Sequence, residues 1–367
     1  MQPNNLVVSR IDGLDGLRGI AIGLVLIHHL HAYLLTWWPS GGGLAEGAAG
    51  QVLHFLWVGV DLFYVLSGFF ISLAVLRANE WNPLRFVKSR LTRILPAYYL
   101  SMFLVLVFVE YHMLSDARGW TAIGLHVLML HQLQSWSMFL INGPYWTLGV
   151  EFFFYMFMML LAPWWRMRHG WLLIPLCIAV ALVWRAGVFL GVDEPQRFFF
   201  AVQIPGAMDE FALGMLVAWC YQKGWFDLRD TSAAVVGLTS LVVGVGLVAY
   251  CLKVYALGGT PYWTSAWHVV WSKTILCAGF ASVLIGFVVW QGRNPLLELL
   301  RWTGIVFLGR ISFSVYLYHV PVMLLAYRHL DFLHSRPIAF IAVCVSGSLM
   351  LAWASYRLVE VRWHPSA

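Results

Sequence analysis

Ten apolar runs, each about as long as a bilayer crossing, set the first limit on what this chain can become. They cover roughly residues 18–38, 53–76, 94–114, 146–164, 171–191, 199–222, 232–252, 268–290, 304–327 and 337–357. A spanning helix needs about 20 mostly apolar residues. An eleventh stretch, Trp120 to Leu133, is too short to span and reads as interfacial or re-entrant. Of the 367 residues, 61% are hydrophobic and 11% are charged. A soluble surface needs more, with typical charged content near ~25%. A soluble enzyme, a disordered chain and a secreted disulfide scaffold are therefore excluded. The first run follows Arg10 and Arg18 as a signal peptide would, but it meets His28 and His29 early and other runs follow. It reads as a retained helix. With no strand-period segment and no internal repeat, the expectation is one all-α polytopic membrane bundle over residues 1–367. The chain stops soon after the tenth run, so no appended soluble domain is expected.

The net charge of +6 does not form a patch; Lys and Arg punctuate the apolar runs. No nucleic-acid partner is implied. With the N-terminus inside and ten spans, sixteen of the 23 basic residues fall on the inner side. That asymmetry predicts both termini in the cytoplasm, and membrane lipids as the surrounding partner. The five cysteines lie in or beside apolar runs without redox or metal spacing and read as small buried hydrophobes.

Ionisable groups at membrane depth are costly and mark functional positions by default. Here they are His28 and His29, Asp61, Glu151, Arg185, Asp209 and Glu210, Lys273 and His319. Together they imply a polar cavity between helices. His29 lies eleven residues beyond Arg18, about 16 Å along the helix axis, which puts it near the midplane. Glu151 is expected about a turn inside the outer face. On the cytoplasmic side, Arg85, Lys88, Arg90 and Arg93 precede the third run. Arg90 and Arg93 share a helix face, and paired guanidiniums suit phosphates. The plain alternative is that these residues only orient the helices.

At these positions the chain resembles the integral-membrane acyltransferase-3 family, which includes bacterial polysaccharide O-acetyltransferases. The matching segments are LDGLRGIAIGLVLIHH with Arg18 and His29, GVDLFYVLSGFFIS with Asp61, the paired arginines ending RILPAYY, WTLGVEFFFY with Glu151, and GRISFSVYLYHVPV with Tyr316 and His319. They occur in family order from residue 12 to about 322. One departure is visible: the family often has two acidic residues in the fourth motif, whereas Phe152 follows Glu151 here.

The resemblance implies a membrane enzyme moving an acyl group, most simply acetyl, from cytoplasmic acyl-CoA to a hydroxyl of an extracytoplasmic or lipid-linked glycan. Its place would be the bacterial cytoplasmic (inner) membrane. His29 is then the catalytic group, as general base or as transient acyl carrier. Arg18, Arg90 and Arg93 are expected to bind the phosphates of acetyl-CoA, with no metal required. Asp61 either orients His29 or a water, or pairs with a buried Arg such as Arg185. Glu151 either serves the sugar hydroxyl or is a helix N-terminal carboxylate. Tyr316 and His319 are expected to line the cavity, with Tyr316 a candidate oxyanion donor. His28 points about 100° away from His29, towards another helix or headgroup water. Most tryptophans, such as Trp37, Trp81, Trp164 and Trp165, read as interfacial belts. Trp146 is kept as a substrate-binding candidate, one turn before Glu151. Two other readings stand beside the enzyme. One is a flippase for a lipid-linked saccharide, which lacks visible repeated halves. The other is a haem-binding electron carrier using the midplane histidines.

Overall fold

The computed structural model describes residues 12–37, 47–290 and 304–363, and among them there are helices but no strand. Arg10, Arg293 and Arg301, counted above on the inner side, lie outside the described residues. The elements that matter below are α1 (Asp12–Trp37), α2 (Gly47–His54), α3 (Gly59–Arg77), α4 (Pro83–Phe108), α5 (Ala117–Val127) and α6 (Trp146–Trp165). They continue with α7 (Leu173–Gly191), α8 (Glu194–Ala201), α9 (Ile204–Gln222), α10 (Asp230–Leu257) and α11 (Lys273–Trp290). Last come α12 (Ile305–Arg310), α13 (Ser312–His329) and α14 (Pro337–Ser355).

Every expected run carries a helix. Among the described residues, eight helical segments are long and apolar enough to cross a membrane. α8 and α9, which meet at 47°, pass the same test only as a pair, as one broken crossing or a re-entrant turn. The run over 304–327 is helical too, but α13 is too polar to pass on length and composition. The reason is position. Ser312, Ser314, Tyr316, Tyr318 and His319 are all buried, so α13 faces protein rather than lipid.

The bundle is tied by close helix crossings. α3 packs on α9 and α9 on α7; α1 packs on α3, α12 and α13, and α13 on α14. At the α3–α9 crossing a Cβ on Gly68 would overlap the Phe211 carbonyl, and one on Gly214 would overlap that of Val65. Small residues are what let helix backbones approach this closely in a membrane.

Local sequence sets the helix starts. Asn82 caps α4, its side chain accepting from Arg85 N at 2.9 Å ahead of Pro83 in the first turn. That cap fixes where the basic run begins, so Arg90 and Arg93 face the bundle two to three turns in. α5 starts on Asp116, which accepts from Gly119 N, and is only 11 residues long. The segment that follows does not span; it folds inward. His126, His131, Gln132, Ser137 and Asn142 are all buried. His131 Nε2 donates to Tyr145 O at 3.0 Å and Asn142 Nδ2 to Leu317 O at 2.9 Å. Burial pushes the His126 ring down to about 3 and His131 to about 4. Both rings are therefore neutral and stack 4.1 Å apart.

Trp165 departs from the belt reading. It is fully buried and its Nε1 donates to Ser72 O at 3.3 Å. Its indole closes the core between α3, α6 and α9 instead of meeting headgroups.

Candidate active site

Two cavities lie within the bundle and share a wall. The first is a narrow channel of about 110 Å³, lined by Arg18, Arg90, Arg93, Ser67, Glu151 and Tyr155, among others. The second is a chamber of about 330 Å³, lined by His28, His29, Tyr33, Trp57, Trp146 and Phe198, among others. That size is within the range of small-molecule sites. Val60 and Tyr316 line both.

Arg18, Arg90 and Arg93 come from two helices and line one channel; the spacing of Arg90 and Arg93 predicted their shared face, and the family resemblance implied Arg18 beside them. Arg90 lies over the Phe86 ring at 5.6 Å, and its Nε is buried without a hydrogen-bond partner among the described residues. A buried guanidinium donor left open in this way has capacity for an anionic ligand. Arg18 makes a loose contact with Asp15, at 4.0 Å.

Glu151, expected beside Trp146 on the acceptor side, instead lines the arginine channel and accepts from Ser67 Oγ at 2.6 Å. Trp146, expected beside it, lines the other chamber.

His29 opens on the chamber, and its hydrogen bonds fix its tautomer. Its Nδ1 lies 2.9 Å from Val25 O and 3.3 Å from His319 Nε2. His319 Nδ1 lies 3.0 Å from Val315 O. A carbonyl only accepts, so each Nδ1 carries a hydrogen. Two N–H groups cannot face one another, so His319 Nε2 is bare and accepts from His29. The remaining His29 nitrogen, Nε2, is then the unprotonated one. A proton arriving there makes an imidazolium whose other N–H already has an acceptor. His28 faces the same chamber rather than lipid, its ring 5.0 Å from His29 and 5.9 Å from His54.

Tyr316 does not have the free hydroxyl that an oxyanion donor needs. Its OH donates to Pro144 O at 2.7 Å and contacts Thr147 Oγ1 at 2.6 Å. Those bonds lock it as the partition between channel and chamber. Asp61 pairs with neither His29 nor Arg185. Lys273 Nζ donates to it at 3.0 Å, while Arg185 is taken by Asp209.

Sequence reasoning also missed Glu360. The chain over Tyr356–Glu360 is π-helical and packs on α4, and Ser314 Oγ donates to the Glu360 carboxylate at 2.5 Å. This brings an acid towards Arg18 and Arg93. Its only sequence signal was a charge at the end of an apolar run.

The acyltransferase-3 family model, described as an acyltransferase domain, matches residues 11–357. This chain belongs to that family. This acyltransferase carries a bare imidazole nitrogen in one cavity and a set of partly buried arginines in the other. The chain is 27% identical to BcsY of Komagataeibacter xylinus, whose name proposes a membrane-bound transacylase, over 96% of this chain and 82% of that protein. It is 26% identical to YrhL of Bacillus subtilis, named for peptidoglycan O-acetylation, over 95% of this chain and 54% of YrhL. It is 20% identical to the peptidoglycan O-acetyltransferase OatA of Listeria monocytogenes, over 95% of this chain and 55% of OatA. The acyltransferase-3 chain thus spans about half the length of the latter two relatives. No solved structure matches it.

Proposed function

We propose that this acyltransferase moves an acetyl or other short acyl group from cytoplasmic acyl-CoA to a hydroxyl of an extracytoplasmic or lipid-linked glycan. One observation carries the reading: the arginines and His29 face two cavities that meet at a single partition, Tyr316 and Val60. Arg18, Arg90 and Arg93 hold the donor's phosphates at the inner end of the channel. The pantetheine arm runs past Glu151 to the partition. A sugar lies in the chamber against Trp146 and Trp57, where a hydroxyl meets His29.

The chemistry then follows from the tautomer. His29 Nε2 takes the proton from the acceptor hydroxyl as its oxygen attacks the thioester carbonyl. The C–O bond forms, the C–S bond breaks, and the thiolate leaves with the proton that His29 gives back. His319 Nε2 accepts from His29 Nδ1 throughout and stabilises the transient imidazolium, as a charge-assisted hydrogen bond does. This favours direct transfer over an acyl-His29 carrier, since the nitrogen that would carry the acyl group is the one needed as base. The glycan-acetylation names of YrhL and OatA support the acceptor class.

The test compares surface glycans by NMR in cells with and without the gene, and with His29→Ala. Loss of O-acetyl signals in both the deletion and the variant is expected. Full acetylation by folded His29→Ala ends the catalytic assignment.

A further inference from the structure

Behind the chamber, five buried ionisable side chains fail to balance. Arg185 and Asp209 form a closed pair. Arg185 donates to both Asp209 oxygens, at 3.0 and 2.7 Å, and Thr274 Oγ1 donates to Oδ2. Beside them Lys273 Nζ donates to Asp61 Oδ1 and to Glu210 Oε1, each at 3.0 Å. The other oxygens, Asp61 Oδ2 and Glu210 Oε2, are buried with no hydrogen-bond partner among the described residues. Asp61 is 1% exposed and Glu210 0%. Three carboxyl groups therefore meet two cations.

Among the described residues, no further cation faces them from the elements packed around. α3 contributes Tyr64, α10 contributes Cys251 and Tyr255, and α11 contributes Cys277. Tyr262 approaches from the turn before α11. His268 stacks on Tyr262 instead of meeting a carboxyl group. An uncompensated charge inside a membrane protein costs several kcal/mol, and two orphaned acceptors add to it. One hydrogen ion between the orphaned oxygens removes both faults. It neutralises the surplus charge and turns one acceptor into a donor.

We propose that Asp61, Glu210 and Lys273 form a proton-binding site, with one proton held between the two carboxyl groups. A metal ion is the competing occupant, because a carboxylate oxygen from each acid and Cys277 Sγ lie within 4.8 Å of one another. The cation position between the acids is already filled by Nζ. The site borders the acceptor chamber: Nζ lies 5.5 Å from the Trp57 ring, and Trp57 lines that chamber. Its charge state thus bears on the wall against which the acceptor packs.

Infrared spectroscopy of the purified protein in an ester-free detergent at neutral pH tests this. The wild type shows a protonated-carboxyl C=O band. Glu210→Gln loses it, and so does Asp61→Asn, because the remaining acid ionises against Lys273. A band that survives in both Glu210→Gln and Asp61→Asn overturns the proposal. If a variant does not fold, the wild-type spectrum still decides, since absence of the band at neutral pH overturns it. A melting temperature that responds to added Zn²⁺ or to a chelator, at fixed pH, also overturns it by putting a metal ion in the proton's place.

Discussion

Replacing His319 by Leu removes the acceptor for His29 Nδ1 while filling most of the ring's volume. The consequence can be sized from the geometry. A hydrogen bond to a charged group contributes about 1.5–3 kcal/mol. The His29–His319 separation of 3.3 Å exceeds the usual charge-assisted length, and Val25 O still shares the same hydrogen. The lower end applies, about 1.5 kcal/mol, which is roughly a tenfold fall in kcat. Because the bond strengthens only when His29 is protonated, KM for donor and acceptor should stay within about twofold of wild type. His319→Gln, whose amide oxygen can accept, should recover part of the loss. Steady-state acyl transfer, on protein whose melting temperature shows it folded, is the assay. A kcat unchanged by His319→Leu refutes the reasoning. So does a loss beyond about a thousandfold, which would make His319 itself the base.

Arg90→Ala and Arg93→Ala should each weaken acetyl-CoA binding by calorimetry, more at low salt than at high salt, and Lys should rescue only partly; wild-type affinity in both alanine variants leaves these residues as topological signals. Gly68→Ala forces α3 away from the Phe211 carbonyl, and should cost about 1–3 kcal/mol as overpacking does, seen as a lower melting temperature; an unchanged melt contradicts the close crossing. His126 and His131, neutral in the fold with values of about 3 and 4, take up protons on unfolding. Stability should therefore fall as pH drops from about 6.5 towards 4, by about 1.4 kcal/mol per pH unit for each ring. The His126→Gln/His131→Gln double variant should lose that part of the slope, and an identical slope in both proteins argues against buried neutral rings.

Much of the fold was legible because lipid imposes a length and a polarity that the chain must obey. The ten runs and the non-spanning element after α4 follow from those two quantities alone. The pairing of Arg90 and Arg93, three residues apart on one helix, was legible too, whereas Arg18 joins them only through packing across helices. Which cavity a side chain lines was less legible: Glu151 and Trp146 both lie near the start of α6 yet open on different cavities. Partners across helices were illegible as well: Asp61 and Lys273 are 212 positions apart, and His29 and His319 are 290 apart. Only the packing of α1 on α13, and of α3 on α9 and α11, brings them together. Glu360 needed a π-helical turn that no spacing rule forecasts.

The account depends on the channel and the chamber opening to opposite faces of the membrane. Thiol labelling tests this without a substrate, since the five native cysteines are buried. Arg93→Cys and Trp146→Cys would each be treated with a membrane-impermeant maleimide, in intact cells and in inverted vesicles. Cys at position 93 should react only in inverted vesicles, and Cys at position 146 only in intact cells. Labelling of both positions from the same side contradicts transfer across the membrane.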